Sequence, residues 1–293
     1  MTISFNQVPS ALRVPFVYAE FDPSKANQGP SIQPYKVLVL GQRLAAGTVA
    51  ALTPQLVTSE AQAAEYFGEG SQLHGIARTL FLNNKVTKMT FCALNDVGGA
   101  TAASGTITIT GPATASGTVY LYIAGRRLQV GVTSGDSATA VAAAIAAAVN
   151  AATYLPVTAG AVAGVVTLTA RNKGTAANGL DVRVNYYGDE RTPAGLGVAI
   201  VLPASGASDP DIATIWAVIG DEHYNVLVCP WTNSANLAAL HTELADRFGP
   251  MRAVEGLAFL AKDDSHANLV TLGSGLNSPH LSLTGVAKSP TPG

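Results

Sequence analysis

The chain has 293 residues, a formal net charge of −2 and only 12% charged residues, against roughly a quarter in an average soluble protein. Near-neutral charge without Lys/Arg clusters argues against an electrostatic nucleic-acid binder. The length allows two modest domains, each with its own core. A surface so poor in charge suits a subunit that covers much of itself in an assembly.

No positively charged segment followed by an apolar stretch opens the chain, so no signal peptide is expected. The most apolar long window, residues 138–152, is mostly alanine and too short to span a bilayer, so no direct membrane partner is expected. Cys92 and Cys229 each end a predicted buried strand. Two such thiols argue for a reducing setting rather than a disulfide framework.

Residues 1–33 contain Pro9, Pro15, Pro23 and Pro30 and show no helical period. Extended patches between the prolines carry Ile3, Phe5 and Val8, then Val14, Phe16, Val17 and Tyr18. Proline tolerates an edge or added strand but not a central one. These side chains therefore either pack back on their own domain or add to a neighbouring subunit.

The continuous apolar run Lys36–Gly41 fits a strand buried on both faces. The loop after it, Gln42-Arg43-Leu44-Ala45-Ala46-Gly47-Thr48, is neither a dinucleotide fingerprint nor a Walker loop. Ser59 and Gln62 have capping-box spacing for a helix ending near Gly68. A second helix follows, with Leu73, Ile76, Ala77, Leu80 and Phe81 on one face, and Lys88–Leu94 is the next strand.

From Val97-Gly98-Gly99 the texture changes. Gly105–Thr110 alternates as a strand with one wet face does. Further strands are expected at Thr118–Ile123, Arg127–Val132, Val165–Ala170 and Asp181–Tyr187. Asp136 or Ser137 caps one helix among them, with Val141, Ile145 and Val149 as its stripe. After Pro203, Ser208 is expected to cap a helix bearing Ile212, Ile215, Trp216 and Ile219. Strand Asn225–Cys229, a helix from Ser234 to the stop at Gly249-Pro250, strand Gly256–Ala261, a short helix at Ser265–Leu272 and strand His280–Leu283 follow.

Strands alternating with helices imply an α/β fold, an open, mostly parallel sheet with helices on both faces. It carries an inserted β-rich domain with one packed helix. The expected organisation is an extended arm over 1–33, a discontinuous α/β domain over 34–98 and 206–286, the insert over 99–205, and a Pro-rich linker over 287–293 towards a missing C-terminal domain.

No catalytic constellation stands out. The five histidines have no zinc-ligand spacing and no Cys-x-x-Cys occurs, so no metal site and no cofactor are expected. Asp221-Glu222-His223 precedes its strand at the amino end, whereas doubly wound sheets bind ligands at the carboxyl ends. It reads as a solvated turn. Asp96 with Asp263 and Asp264 lies at carboxyl ends and in principle could hold a divalent ion, although adjacent acids there more often cap a helix.

Together these features resemble the contractile-tail sheath proteins of Mu-like phages. The resemblance is carried by residues 3–9 and Arg13–Asp22, by Pro34–Gln42, by Asp136–Val141, and by the strands Val166–Thr175 and Asn178–Val184. It implies a structural subunit, not an enzyme. Such subunits stack as rings around an inner tail tube, store energy in subunit contacts, and contract on a baseplate trigger to drive the tube through the host envelope. Implied partners are neighbouring sheath subunits, the inner tail tube protein, the baseplate and the tail terminator, with no nucleic acid. The implied location is the virion tail, after assembly in the host cytoplasm. In this family terminal arms join neighbouring subunits, which assigns Ile3, Phe5, Val8, Val14, Phe16, Val17 and Tyr18 to an inter-subunit arm. The alternatives are an α/β ligand-binding or enzyme domain with a pocket near Gly41, Asp96 and Asp263, and an adhesin-like module with 99–205 as the binder.

Overall fold

A computed structural model describes residues 35–289, together with Val17 and Ala19. The elements below all belong to the compact unit Tyr35–Gly293. Its centre is β1 (Lys36–Gln42), whose run of Val and Leu is buried from Val37 to Gln42. Such a strand needs partners on both edges. It pairs in parallel with β3 (Lys88–Leu94) on one side and β11 (Val226–Val228) on the other. With β2 (Gln55–Val57), β12 (Leu257–Asp263) and β13 (Leu281–Val286), the sheet has the order β13-β12-β11-β1-β3-β2. Every neighbouring pair is parallel except β2 with β3. Numbered by their own succession, the parallel strands run 2-1-3-4-5, a doubly wound order whose switch point lies between β1 and β11.

The period of two along β1 sends alternate residues to opposite faces. Val37 and Val39 meet Ala63 and Phe67 of α1 (Glu60–Phe67) and Leu73 and Ala77 of α2 (Gln72–Asn83). Leu38 and Leu40 meet Ile215 and Ile219 of α4 (Ala213–Ile219) and Leu237, Leu240 and Leu244 of α5 (Ser234–Phe248). Helix α6 (His266–Leu276) adds Leu272 and Leu276 to that second face. Helices thus lie on both faces. Gly41 has a packing reason, since a Cβ there would stand 2.9 Å from Leu73 Cγ.

Between β3 and α4 the chain builds two further sheets. One has the order β10-β4-β8-β7, from β4 (Ser104–Thr110), β7 (Val157–Val162), β8 (Val165–Ala170) and β10 (Gly197–Ala204). The other is β6-β5-β9, from β5 (Gly117–Ile123), β6 (Arg126–Val132) and β9 (Val182–Val184). Both sheets share one core with α3 (Ala138–Ala151), in which Ile107, Leu121, Val166 and Ile145 are at most 1% exposed. Ser137, not Asp136, caps α3 by accepting from Ala140 N at 3.2 Å. Ser137→Ala is expected to lower stability by about 1 kcal/mol, read as a shift of the urea midpoint at constant slope.

Several expectations need correction. The strand expected over Asp181–Tyr187 is only β9, because Asn185 turns left-handed at φ 52. Strand β10, absent from the expected strands, runs through Pro203. It is an edge strand, and the register shifts between Val201 and Ala204, the situation that accommodates a proline. Ser208 does not cap α4. It stands at φ 71, while Asp211 Oδ1 accepts from Ala213 N at 2.9 Å. The Gln62 side chain reaches back to Thr58 N at 2.9 Å rather than to the Ser59 N–H, although Ser59 does cap α1.

Candidate functional site

In doubly wound sheets ligands bind outside the carboxyl ends at the switch point, here between β1 and β11; on the other side of β1 lie the carboxyl ends of β1 and β3. The latter are closed by the protein's own polar groups. Gln42, the last residue of β1, is fully buried. Its Nε2 donates to Asp96 Oδ1 at 2.8 Å and to the Lys173 carbonyl at 2.7 Å. Its backbone N–H donates to Gln72 Oε1 at 3.0 Å. Asn172 donates to the Arg43 carbonyl at 2.9 Å and to Asp96 Oδ1 at 3.1 Å, and accepts from Gln72 N at 2.9 Å. Lys173 N donates to Asp96 Oδ2 at 3.0 Å. The loop after β8 is therefore seated over β1 and β3. Asp96 receives three charge-assisted hydrogen bonds, an anchor rather than a free base or metal ligand.

The other reactive-looking groups are similarly committed. Asp221-Glu222-His223 sits at the amino end of β11. Glu222 pairs with Lys36, Asp221 accepts from Arg252 at 2.8 Å, and His223 Nε2 lies 2.9 Å from the Glu255 carbonyl. Arg247, 3% exposed, donates to Glu243 at 2.9 Å and to the Glu222 carbonyl at 3.0 Å. His241 Nδ1 lies 2.7 Å from Ser278 Oγ. Asp264 accepts from Asn268 Nδ2 and Ser265 N, both at 2.7 Å, and these bonds hold its carboxyl below the ordinary value. Asp263 is exposed. Among the described residues no three His, Cys, Asp or Glu side chains are grouped to hold a metal. Burial pushes the Cys92 thiol up to about 11 and the Cys229 thiol up to about 12. Neither is an activated thiolate at neutral pH.

His74, on α2, is 4% exposed. Its Nδ1 accepts from Gly70 N at 3.1 Å, which leaves Nε2 to carry the proton in the neutral ring. Burial, the largest effect, lowers its pKa, and Arg78 lowers it further, against the raising influence of Glu60 and Glu69. An imidazole held neutral in the fold favours folding above the unfolded value of about 6.5 and loses that advantage as pH falls through the lowered one. His74→Asn keeps an acceptor for Gly70 N. The urea-unfolding advantage of the wild type over His74→Asn is expected to be smaller at pH 5.5 than at pH 7.5. A pH-independent difference would contradict this assignment.

Of the arm residues, Ile3, Phe5, Val8, Val14, Phe16 and Tyr18 lie outside the described residues, and Val17 is 87% exposed. In the ligand-binding alternative a pocket is expected near Gly41, Asp96 and Asp263. A cavity does lie on the same face as α2, but none of the three lines it. Gln42, Gln72 and Asn172 were missed in the sequence. Each is an isolated polar residue whose partner is far along the chain, with Gln72 and Asn172 separated by 100 positions, and no local spacing signals such a joint.

Residues 98–197 match the family model described as the phage tail sheath protein beta-sandwich domain. These residues include most of the two-sheet unit around α3. The chain is also 38% identical over 292 residues to the Mu-like prophage FluMu tail sheath protein of Haemophilus influenzae, covering 100% of this chain and 60% of that protein. The chain is related to the phage tail sheath proteins. It spans 60% of the length of that sheath relative. Among solved structures, a sheath tail protein from Desulfitobacterium hafniense aligns over 92% of this chain and 55% of its own, at 13% identity and a TM-score of 0.36. One from Listeria innocua aligns over 82% of this chain and 50% of its own, at 13% identity and a TM-score of 0.31.

Proposed function

We propose that this chain is part of a structural subunit of a contractile tail sheath and not an enzyme. The observation that carries the reading is the 38% identity to a tail sheath protein along the whole chain. The closed carboxyl ends of β1 and β3 support it, because a subunit that stores energy in contacts needs a rigid body there and no phosphate loop. In this reading 34–98 and 206–286 form the α/β body, 99–205 is an inserted β-sandwich, and 287–293 is a linker. Residues 1–33 are an arm that joins a neighbouring subunit through Ile3, Phe5, Val8, Val14, Phe16, Val17 and Tyr18 by strand addition. Copies of the subunit surround an inner tail tube between a baseplate and a terminator, assemble in the host cytoplasm, and end in the virion tail. Contraction of the array then drives the tube through the host envelope.

Deleting the encoding sequence tests the proposal. Particles induced from the source organism without it are expected to carry bare or absent tails by negative-stain microscopy. Tails that still show a full sheath would refute the assignment.

A further inference from the structure

The core under helices α1 and α2 lies mainly over β1, β3 and β2, one half of their face of the sheet, and reaches Val226 and Val228 of β11. Over the other half, against β11 and β12, lies a cavity of about 510 Å³. Val228, Phe259 and Ala261 of the sheet and Ile76 of α2 give it an apolar lining, and Phe259 is 42% exposed there. The volume falls within the range of small-molecule sites.

The charges of the lining are one-sided. Arg78 and Arg126 belong to it, and among the described residues no carboxylate does. Arg78 is oriented by Glu60, 3.3 Å from its Nε, and by the Tyr154 ring, 5.4 Å from its guanidinium carbon. The side chain of Arg126, half-buried at the start of β6, has no hydrogen bond or ion pair among the described residues. Burial, and then Arg78, hold its guanidinium below its ordinary value, against the raising influence of Glu60 and Tyr154. A desolvated cation next to a second cation is costly until an anion joins it. A third lining residue, Gln72, holds a buried Nε2 donor that has no partner. Guanidinium forks match carboxylate and phosphate oxygens, and the apolar lining requires that such a group arrive on an apolar body.

We propose that this cavity is a binding site for a small amphipathic anion, a carboxylate or phosphate monoester on an aliphatic body, with Arg126 and Arg78 holding the head and Phe259 and Ile76 the body. The site adjoins the closed carboxyl ends of β1 and β3 through Gln72, whose Oε1 accepts from Gln42 N, and does not depend on the sheath reading.

The test is calorimetric titration of the full 293-residue chain with decanoate and with decyl phosphate, both below micelle formation, beside decanol and inorganic phosphate. One saturable site is expected for at least one of the two amphipathic anions, with decanol and inorganic phosphate weaker. Arg126→Gln removes no protein side-chain hydrogen bond or ion pair, so its melting curve should change little while affinity falls about 10- to 100-fold. Ala261→Trp, which narrows the apolar part of the cavity and keeps both arginines, should weaken binding. Absence of saturable binding by both anions, equal binding by decanol, or binding unchanged in both variants would overturn the proposal. So would flat titrations combined with self-association that Arg126→Gln weakens, which would assign the arginine to an acidic polypeptide instead.

Discussion

Phe91→Ala is expected to cost about 3–5 kcal/mol of unfolding free energy, the largest effect of any single truncation considered for this chain. Phe91 is a fully buried residue of β3. It stacks between Phe67 of α1, with centroids 5.9 Å apart, and Phe81 of α2, at 6.2 Å. Removing the ring takes away the layer that joins both helices to the sheet. The helices are also held to β1 through Val37, Val39 and Gly41, so they cannot collapse fully into the space. A residual cavity adds to the lost transfer energy. Phe91→Leu should recover most of the loss, because it restores apolar volume without the stacking. The check is equilibrium urea unfolding, and a loss below about 1 kcal/mol for the alanine variant would mean that this helix layer is not packed as described.

Asp96→Ala is expected to be the largest polar effect, about 2–4 kcal/mol. The carboxylate accepts from Gln42 Nε2, Asn172 Nδ2 and Lys173 N. Alanine strands the Gln42 and Asn172 donors, while the more exposed Lys173 N–H regains water. Asp96→Asn should cost less, since one amide oxygen remains. Hydrogen exchange separates this account from a merely local defect. The amides of residues 171–174 should exchange faster in Asp96→Ala, whereas those in α5, on the other face of the sheet, should exchange at wild-type rates. If the loop amides are unaffected, the network is not what seats the loop.

Much of the fold was legible because its strands and helices carry strong periodic patterns. The run Val37–Leu40 and the alternation at Ile107 and Ile109 each have large apolar side chains at the period their structure requires. Helix starts at Ser59 and Ser137 carry a hydroxyl that accepts from a first-turn N–H. Legibility failed where side chains were small or a proline was read locally. Strand β7, Val-Thr-Ala-Gly-Ala-Val, has little apolar bulk to alternate, and β10 holds Pro203 at an irregular edge. The polar joint was illegible for a different reason. Asp96 meets Asn172 across 76 positions and Gln42 meets Lys173 across 131, so only the folded topology brings them together. The same holds for Arg78 and Arg126, which lie on different sheets' neighbourhoods and meet only at the cavity.

The sheath reading is tested most directly by a helical cryo-electron microscopy reconstruction of tails from induced particles that contain this chain. It predicts repeated density around the inner tube into which the six-stranded sheet with its helices and the two-sheet unit of residues 104–204 fit as part of every sheath subunit. Shaft density that these elements cannot occupy, or density for them only at the baseplate or the tail tip, would contradict it.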